Sequence, residues 1–411
     1  MIFLRPEHEF LRLVAMAAPD WPALVALAPQ LEDWGYLRGL AEAHQLGGVL
    51  SARLLAGELD GLCQAEVRRD CTERQAALRQ QQAGWFRESQ GDAISRLEAA
   101  RVRYVVFRGG HTEAFYGLGE DWARARNHLD ILTHPDDYAG ACAVAEGMGR
   151  DPSVRGWSAP WQAVGVLGAR WFVNLFTVPP GWEFVDASCL WDRRMHDGAS
   201  RGELVGGLAG TVPEPSRHFA ALASETLVSL AWNEEALTLA KLARLYNLTQ
   251  RPGFDWRAVW SHLRVGEDSL GYSEWRRLRP GLAAGDRERI SHYDEALRAA
   301  GTIGLLARVY PIPSEQAARA EGLVARCDPH LVAFDPRYYA DPHGQGNPVR
   351  GGPMHYLRLR LGPAASVEEL VFGTQTALEA RLERGVFEPV ERYTEALRVP
   401  HRFAHAVNAA G

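Results

Sequence analysis

The run Tyr104, Val105, Val106, Phe107 ends abruptly in Arg108, Gly109, Gly110. Four β-branched or aromatic residues in a row form a buried strand, and the glycine pair that follows sets a turn where the ladder would otherwise continue. A helix from His111 to about Tyr116 is expected after it. Leu129, Asp130, Ile131 and Leu132 make a second short strand. Pro135, Asp136 and Asp137 then open an acid-capped helix through Met148, with proline in the first turn and carboxylates at the positive helix end. The order strand, helix, strand, helix fixes an α/β core in the middle of the chain.

Helices are expected on both sides of that core. Between Glu7 and Ala100 apolar residues recur at three- and four-residue spacing, as in Leu37, Leu40, Ala41 and His44, and the last helix of this region runs from about Gln64 to Ala100. Trp171 to Val178 and Glu183 to Leu190 read as two strands joined by the turn residues Pro179, Pro180 and Gly181, a hairpin. From Pro215 to Gln250 the helical period returns and stops at Arg251, Pro252, Gly253, with further helices to about Arg326. Asp335 to Pro353 is a Gly-, Pro- and Asp-rich linker. Beyond it, an alternating strand at His355 to Leu361, a helix capped by Ser366 and Glu369, and a strand at Val386 to Tyr393 make a small β-α-β unit.

The expected fold class is therefore α+β: a small mixed sheet at residues 101–210, flanked by helical regions at 1–100 and 211–334, with a linker and small α+β unit at 335–411. The chain has 411 residues, more than one growing core accommodates, so several domains are expected. Five cysteines are scattered without CxxC pairing, which suggests reduced thiols and a cytoplasmic location. The N-terminus carries no secretory pattern and no run is long enough to span a bilayer. A net charge of -6 disfavours a nucleic-acid partner and leaves small molecules, peptides or proteins. Lys241 is the one lysine among 45 basic residues.

The chemistry of the core follows from its turn and its second strand. Phosphoryl transfer requires hard cations held by carboxylates and a backbone close against the phosphates, which a glycine turn permits. Acids two apart on a strand share a face, and a third from a neighbouring strand completes a two-metal clamp. Val105 to Gly110, then Arg124, then His128 to Leu132 with Pro135 and Asp136, resembles the nucleotidyltransferase superfamily, the beta-type polymerase fold, over roughly residues 40–250. The resemblance implies a nucleoside triphosphate bound with Mg²⁺ or Mn²⁺. Arg108, Gly109, Gly110, Arg124 and Lys241 would then hold phosphates.

This chain departs from that pattern at two acids. His128 stands at the family's first Asp, leaving His-x-Asp, and imidazole is a poor magnesium ligand. The third acid is either Asn174, on the strand Phe172 to Phe176, or Asp186, on the strand that follows. The expected catalytic set is Asp130, His128 and Asp186, and the expected metal set is Asp130, Asp186 and Asn174. An acid within an apolar strand is costly unless paired or metal-bound, so an ion pair with Arg124 or Arg126 is the structural alternative for Asp130. His134 adds either a further ligand or a helix cap. Lys241 serves the phosphates or is a solvated helix position.

Two functions of different class follow. One is transfer of a nucleotidyl or phosphoryl group from a nucleoside triphosphate to a small-molecule or peptide acceptor. The other is a catalytically degenerate member that acts as a binding or scaffold protein.

Overall fold

The structure, a computed structural model, describes residues 5–59, 61–85, 90–109, 114–118, 128–147, 153–154, 162–168, 171–177, 193–204, 207–232, 238–263, 296 and 299–326. It mixes helix and strand, as the α+β expectation requires. The linker and terminal β-α-β unit expected from 335 onward lie outside the described residues.

Five helices open the chain: α1 (Pro6–Val14), α2 (Trp21–Leu27), α3 (Trp34–Ala43), α4 (Gly47–Leu54) and α5 (Ala65–Trp85). Asp20 and Asp33 cap α2 and α3 by accepting from the amides of Ala23 and Tyr36, satisfying donors that a helix start leaves open. Where the sequence suggests helix to Ala100, α6 (Gly91–Ala99) follows, and residues 86–89 between it and α5 lie outside the described residues. The apolar residues of the two spans belong to different cores. Val67 and Cys71 of α5 pack with α1 to α4, whereas Ala93, Ile94 and Leu97 of α6 pack on the sheet.

Among the described residues the sheet has five strands: β1 (Tyr104–Arg108), β2 (His128–Thr133), β3 (Ser153–Val154), β4 (Gln162–Gly168) and β5 (Trp171–Thr177). Their order is β1-β2-β5-β4-β3. β1 runs antiparallel to β2, β2 parallel to β5, and β5 antiparallel to β4. The expected hairpin of β5 with Glu183–Leu190 is corrected by this order. Both edges of β5 are taken by β2 and β4, so its hairpin partner is the strand before it; residues 183–190 themselves lie outside the described set. The alternation Gln162 to Gly168 contains two glycines and weak β formers, which is why β4 escaped sequence reading.

After β2, the turn Pro135–Asp137 leads into α7 (Tyr138–Gly147). A second hairpin, β6 (Ser200–Leu204) with β7 (Leu208–Val212), packs against β1. Tyr104, Val106, Leu129 and Ile131 therefore face a small core shared with α6, α7 and this hairpin. By strand alternation Val105, Phe107 and Asp130 belong to the opposite face of the sheet.

On that side the end of β1 meets α8 (Pro215–Trp232) at His218 and Glu225; α9 (Leu239–Thr249), α10 (Trp256–His262), a helical stretch at 299–309 and α11 (Ser314–Arg326) follow in the chain. These helices and α1 to α5 share one large apolar core. Burying each Leu or Phe in it contributes about 1.5–3 kcal/mol. Phe115 and Tyr116, on the short turn after the glycine pair, insert into this helical core and not into the sheet core. Two polar contacts anchor them: the Tyr116 hydroxyl donates to the Ala240 carbonyl at 3.1 Å, and Arg53 Nη2 donates to the Tyr116 carbonyl at 2.6 Å. The chain after β1 is thus anchored in the helical core at Phe115 and Tyr116. Among the described residues no helix is long and apolar enough to cross a membrane.

Candidate functional site

β1 carries one extra residue against β2. Val106 pairs with Ile131, but the next matched pair is Arg108 with Asp130, so Phe107 and Arg108 together oppose a single residue. Such a bulge reverses the alternation beyond it. Unbulged, Arg108 would share the side of Val106 and enter the sheet core; bulged, it stands on the side of Asp130. The outcome is an ion pair, with Arg108 Nε 3.4 Å from Asp130 Oδ2.

A bulge also leaves a carbonyl outside the ladder, and the Phe107 oxygen is taken by His218 of α8, whose Nε2 lies 2.6 Å away. A carbonyl only accepts, so Nε2 must carry the proton. His218 is fully buried, and burial pushes its pKa down to about 4 against the opposing effect of the Phe107 bond, with the charges of Arg108 and Arg251 adding to the depression. Its ring also meets Phe115 edge-on at 5.5 Å. One neutral imidazole therefore ties together the bulge, the turn and α8.

Two helical turns further along α8 lies Glu225, which makes a close ion pair with Arg108 Nη1. Residues seven apart share a helix face, so His218 and Glu225 reach the same end of β1. The guanidinium thus bridges two carboxylates, one from the sheet and one from the helices. Side-chain exposure rises outward through the set: Asp130 4%, Glu225 15%, Arg108 25%. Gly109 follows at φ +77, a left-handed conformation that side chains resist.

The other sequence candidates are placed as follows. His128 opens β2, its backbone paired with Phe172. Asn174 lies beside Asp130 in the parallel register of β5. Lys241 is half-buried in the first turn of α9, one residue past the Ala240 carbonyl that holds Tyr116, so its backbone adjoins the segment after the glycine turn. Gly110, Arg124 and Asp186 lie outside the described residues, as does Arg126. Among the described residues Asp130 pairs with Arg108, a residue expected to hold phosphate.

His134 stands at the far end of β2 from His128. It is four residues from Asp130, about 13 Å along a strand. Its Nδ1 accepts from the Asp136 amide at 3.2 Å, so it caps the turn before α7. His196 meets its ring edge-on at 4.9 Å, and burial, with the charges of His134 and Arg103 next, pushes the His196 pKa down to about 3. Arg103 closes this end with two bonds to Asp137 of 2.8 and 3.0 Å.

Sequence reading missed Glu225 and His218. The available signal was their seven-residue spacing in the apolar helix Pro215–Trp232, which places a histidine and an acid on one stripe.

The described donors do not fit a two-metal clamp. One strand carboxylate, Asp130, is already paired with arginine, and histidine precedes it where an oxygen ligand is needed. Among the described residues no group of three His, Cys, Asp or Glu side chains is arranged to hold a metal ion.

Residues 30–162, about a third of the chain, match the model of a family described as an uncharacterised nucleotidyltransferase. No curated protein and no solved structure matches. The resemblance read from Val105 to Gly110 and His128 to Leu132 is borne out over this span, which contains Arg108, Gly109 and Asp130. It ends before Asn174, Asp186, Glu225 and Lys241.

Proposed function

We propose that this nucleotidyltransferase-like chain binds a nucleoside triphosphate through its phosphates at the Arg108–Gly109 turn, and that it acts as a binding protein and not through a two-metal transfer centre. The observation that carries this reading is the bulge that turns Arg108 out of the sheet core to the mouth of the glycine turn. Guanidinium offers five donors in a planar fork suited to phosphate oxygens, and it remains charged at any working pH. A left-handed glycine next to it lets successive backbone N–H groups converge on an anion. Asp130 has a supporting part here, as the buried counter-charge that orients Arg108.

A second reading keeps transfer to a small-molecule or peptide acceptor. It is supported by the family match across both the turn and Asp130. It requires Asp186 or another carboxylate to join Asp130, together with Mg²⁺ or Mn²⁺.

Calorimetric titration with ATP, GTP, CTP and UTP separates the two. Binding that persists in EDTA and is lost in Arg108→Ala supports the first reading. Binding that needs a divalent cation and is lost in Asp130→Ala supports the second. No binding of any triphosphate under either condition removes both, and a protein partner becomes the object of search.

A further inference from the structure

We infer that Glu225 is an internal occupant of the phosphate site: its carboxylate holds Arg108 in the position that a ligand phosphate takes, and the ligand binds by displacing it. The inference rests on the phosphate-binding reading above.

Three observations support it. First, the two carboxylates on Arg108 are unequal. Asp130 is fixed to a central strand with a 4% exposed side chain, while Glu225, on a helix, is more exposed at 15%. The deep partner is retained and the outer one can be exchanged. Second, the exchange is chemically matched. Carboxylate and phosphate oxygens make the same kind of charge-assisted contact to guanidinium, so the arginine is never left without a counter-charge.

Third, the backbone carrying Glu225 is held in place. Glu214 accepts from the amides of Ser216 and Arg217, both at 2.9 Å, and from the Ser216 hydroxyl at 2.7 Å, which fixes the start of α8. His218 then registers the helix against β1 through the Phe107 carbonyl. With α8 anchored at that end, only the Glu225 side chain has to move. The device sets a threshold: the site stays closed to weakly charged anions and opens to a polyphosphate, whose greater charge competes for the same guanidinium.

The test is affinity for ATP and for inorganic tripolyphosphate in EDTA, measured on the full chain for wild type, Glu225→Gln, Glu225→Asp and Arg108→Ala, with circular dichroism confirming the fold of each. Glu225→Gln removes the competing charge and is expected to bind both ligands roughly tenfold more tightly than wild type. Glu225→Asp keeps the charge but withdraws it by one methylene, and is expected to fall between the two. If wild type binds, Arg108→Ala does not, and folded Glu225→Gln and Glu225→Asp bind no better than wild type, Glu225 is only a tether and the inference is overturned while the phosphate site stands. If no variant binds either ligand, the phosphate site and the inference fall together.

Discussion

His218 Nε2 donates to the carbonyl of Phe107 at 2.6 Å, inside the bulge that sets Arg108 opposite Asp130. The bond joins α8 to the one irregular point of β1, so removing it should be felt both in stability and at Arg108. His218→Phe keeps a ring of similar size but removes the His218 donor from the buried oxygen, which costs about 1–3 kcal/mol. Urea unfolding should show that loss, and the ¹⁵N shifts of wild-type His218 should report a neutral ring protonated at Nε2. A ring protonated at Nδ1 would contradict the assigned bond.

Three histidines, His44 and His218 buried and His196 half-buried, predict an acid limit to stability. Burial depresses His44 to about 3, with His8 adding to the effect; burial also leads the depression of His196 to about 3 and His218 to about 4. Their folded pKa values lie below the unfolded value near 6.5, so the unfolded chain binds more protons in that window. The neutral rings therefore cost nothing above about pH 6.5, and stability falls as the pH drops from there toward 4. For each histidine the slope is about 1.4 kcal/mol per pH unit. Urea midpoints at pH 7.5, 6 and 5 should decline steadily, and a flat profile would mean that these rings are not buried neutral.

Arg53 fixes the far side of the glycine turn. Its Nη2 donates to the carbonyls of Met16 at 3.0 Å, Ala17 at 3.3 Å and Tyr116 at 2.6 Å. Burial lowers its pKa to about 10, against the attraction of Glu58, so it stays charged at neutral pH. Arg53→Met removes a donor from the buried Tyr116 carbonyl and from two part-buried ones and should cost about 2 kcal/mol, whereas Arg53→Lys, which keeps the charge and a donor head, should cost less. Chemical denaturation of the two variants checks the order. Equal losses would assign the stability to packing of the stem.

Much of this architecture was legible because it rests on local pattern. The run Tyr104–Phe107, the glycine turn and the strand around Asp130 each announce themselves within a few residues, and the stop at Arg251–Gly253 ends α9 where turn chemistry requires. The strand order and the partner of Asp130 were not legible, since both are long-range. That Asp130 meets Arg108 depends on a bulge, and one extra residue in a ladder has no signature in a strand of five. Glu225 was hidden for a related reason. Its partner is 117 positions away in the sequence, and an acid on a long helix is ordinarily a solvated one.

Gly109 offers the most direct check that backbone conformation, and not composition, sets the site. At φ +77 it is left-handed, where an L side chain costs roughly 1–2 kcal/mol and asparagine is the least penalised substitute. Gly109→Ala should therefore lose about that much stability in urea, and phosphate affinity should weaken as Arg108 shifts with the strained turn. Gly109→Asn adds more atoms yet tolerates the left-handed region, so it should destabilise less than alanine. If bulk near the buried turn were the limiting factor, the order would invert and asparagine would be the worse of the two. Comparing unfolding midpoints and tripolyphosphate affinity for the pair thus separates a requirement for left-handed backbone from a requirement for space.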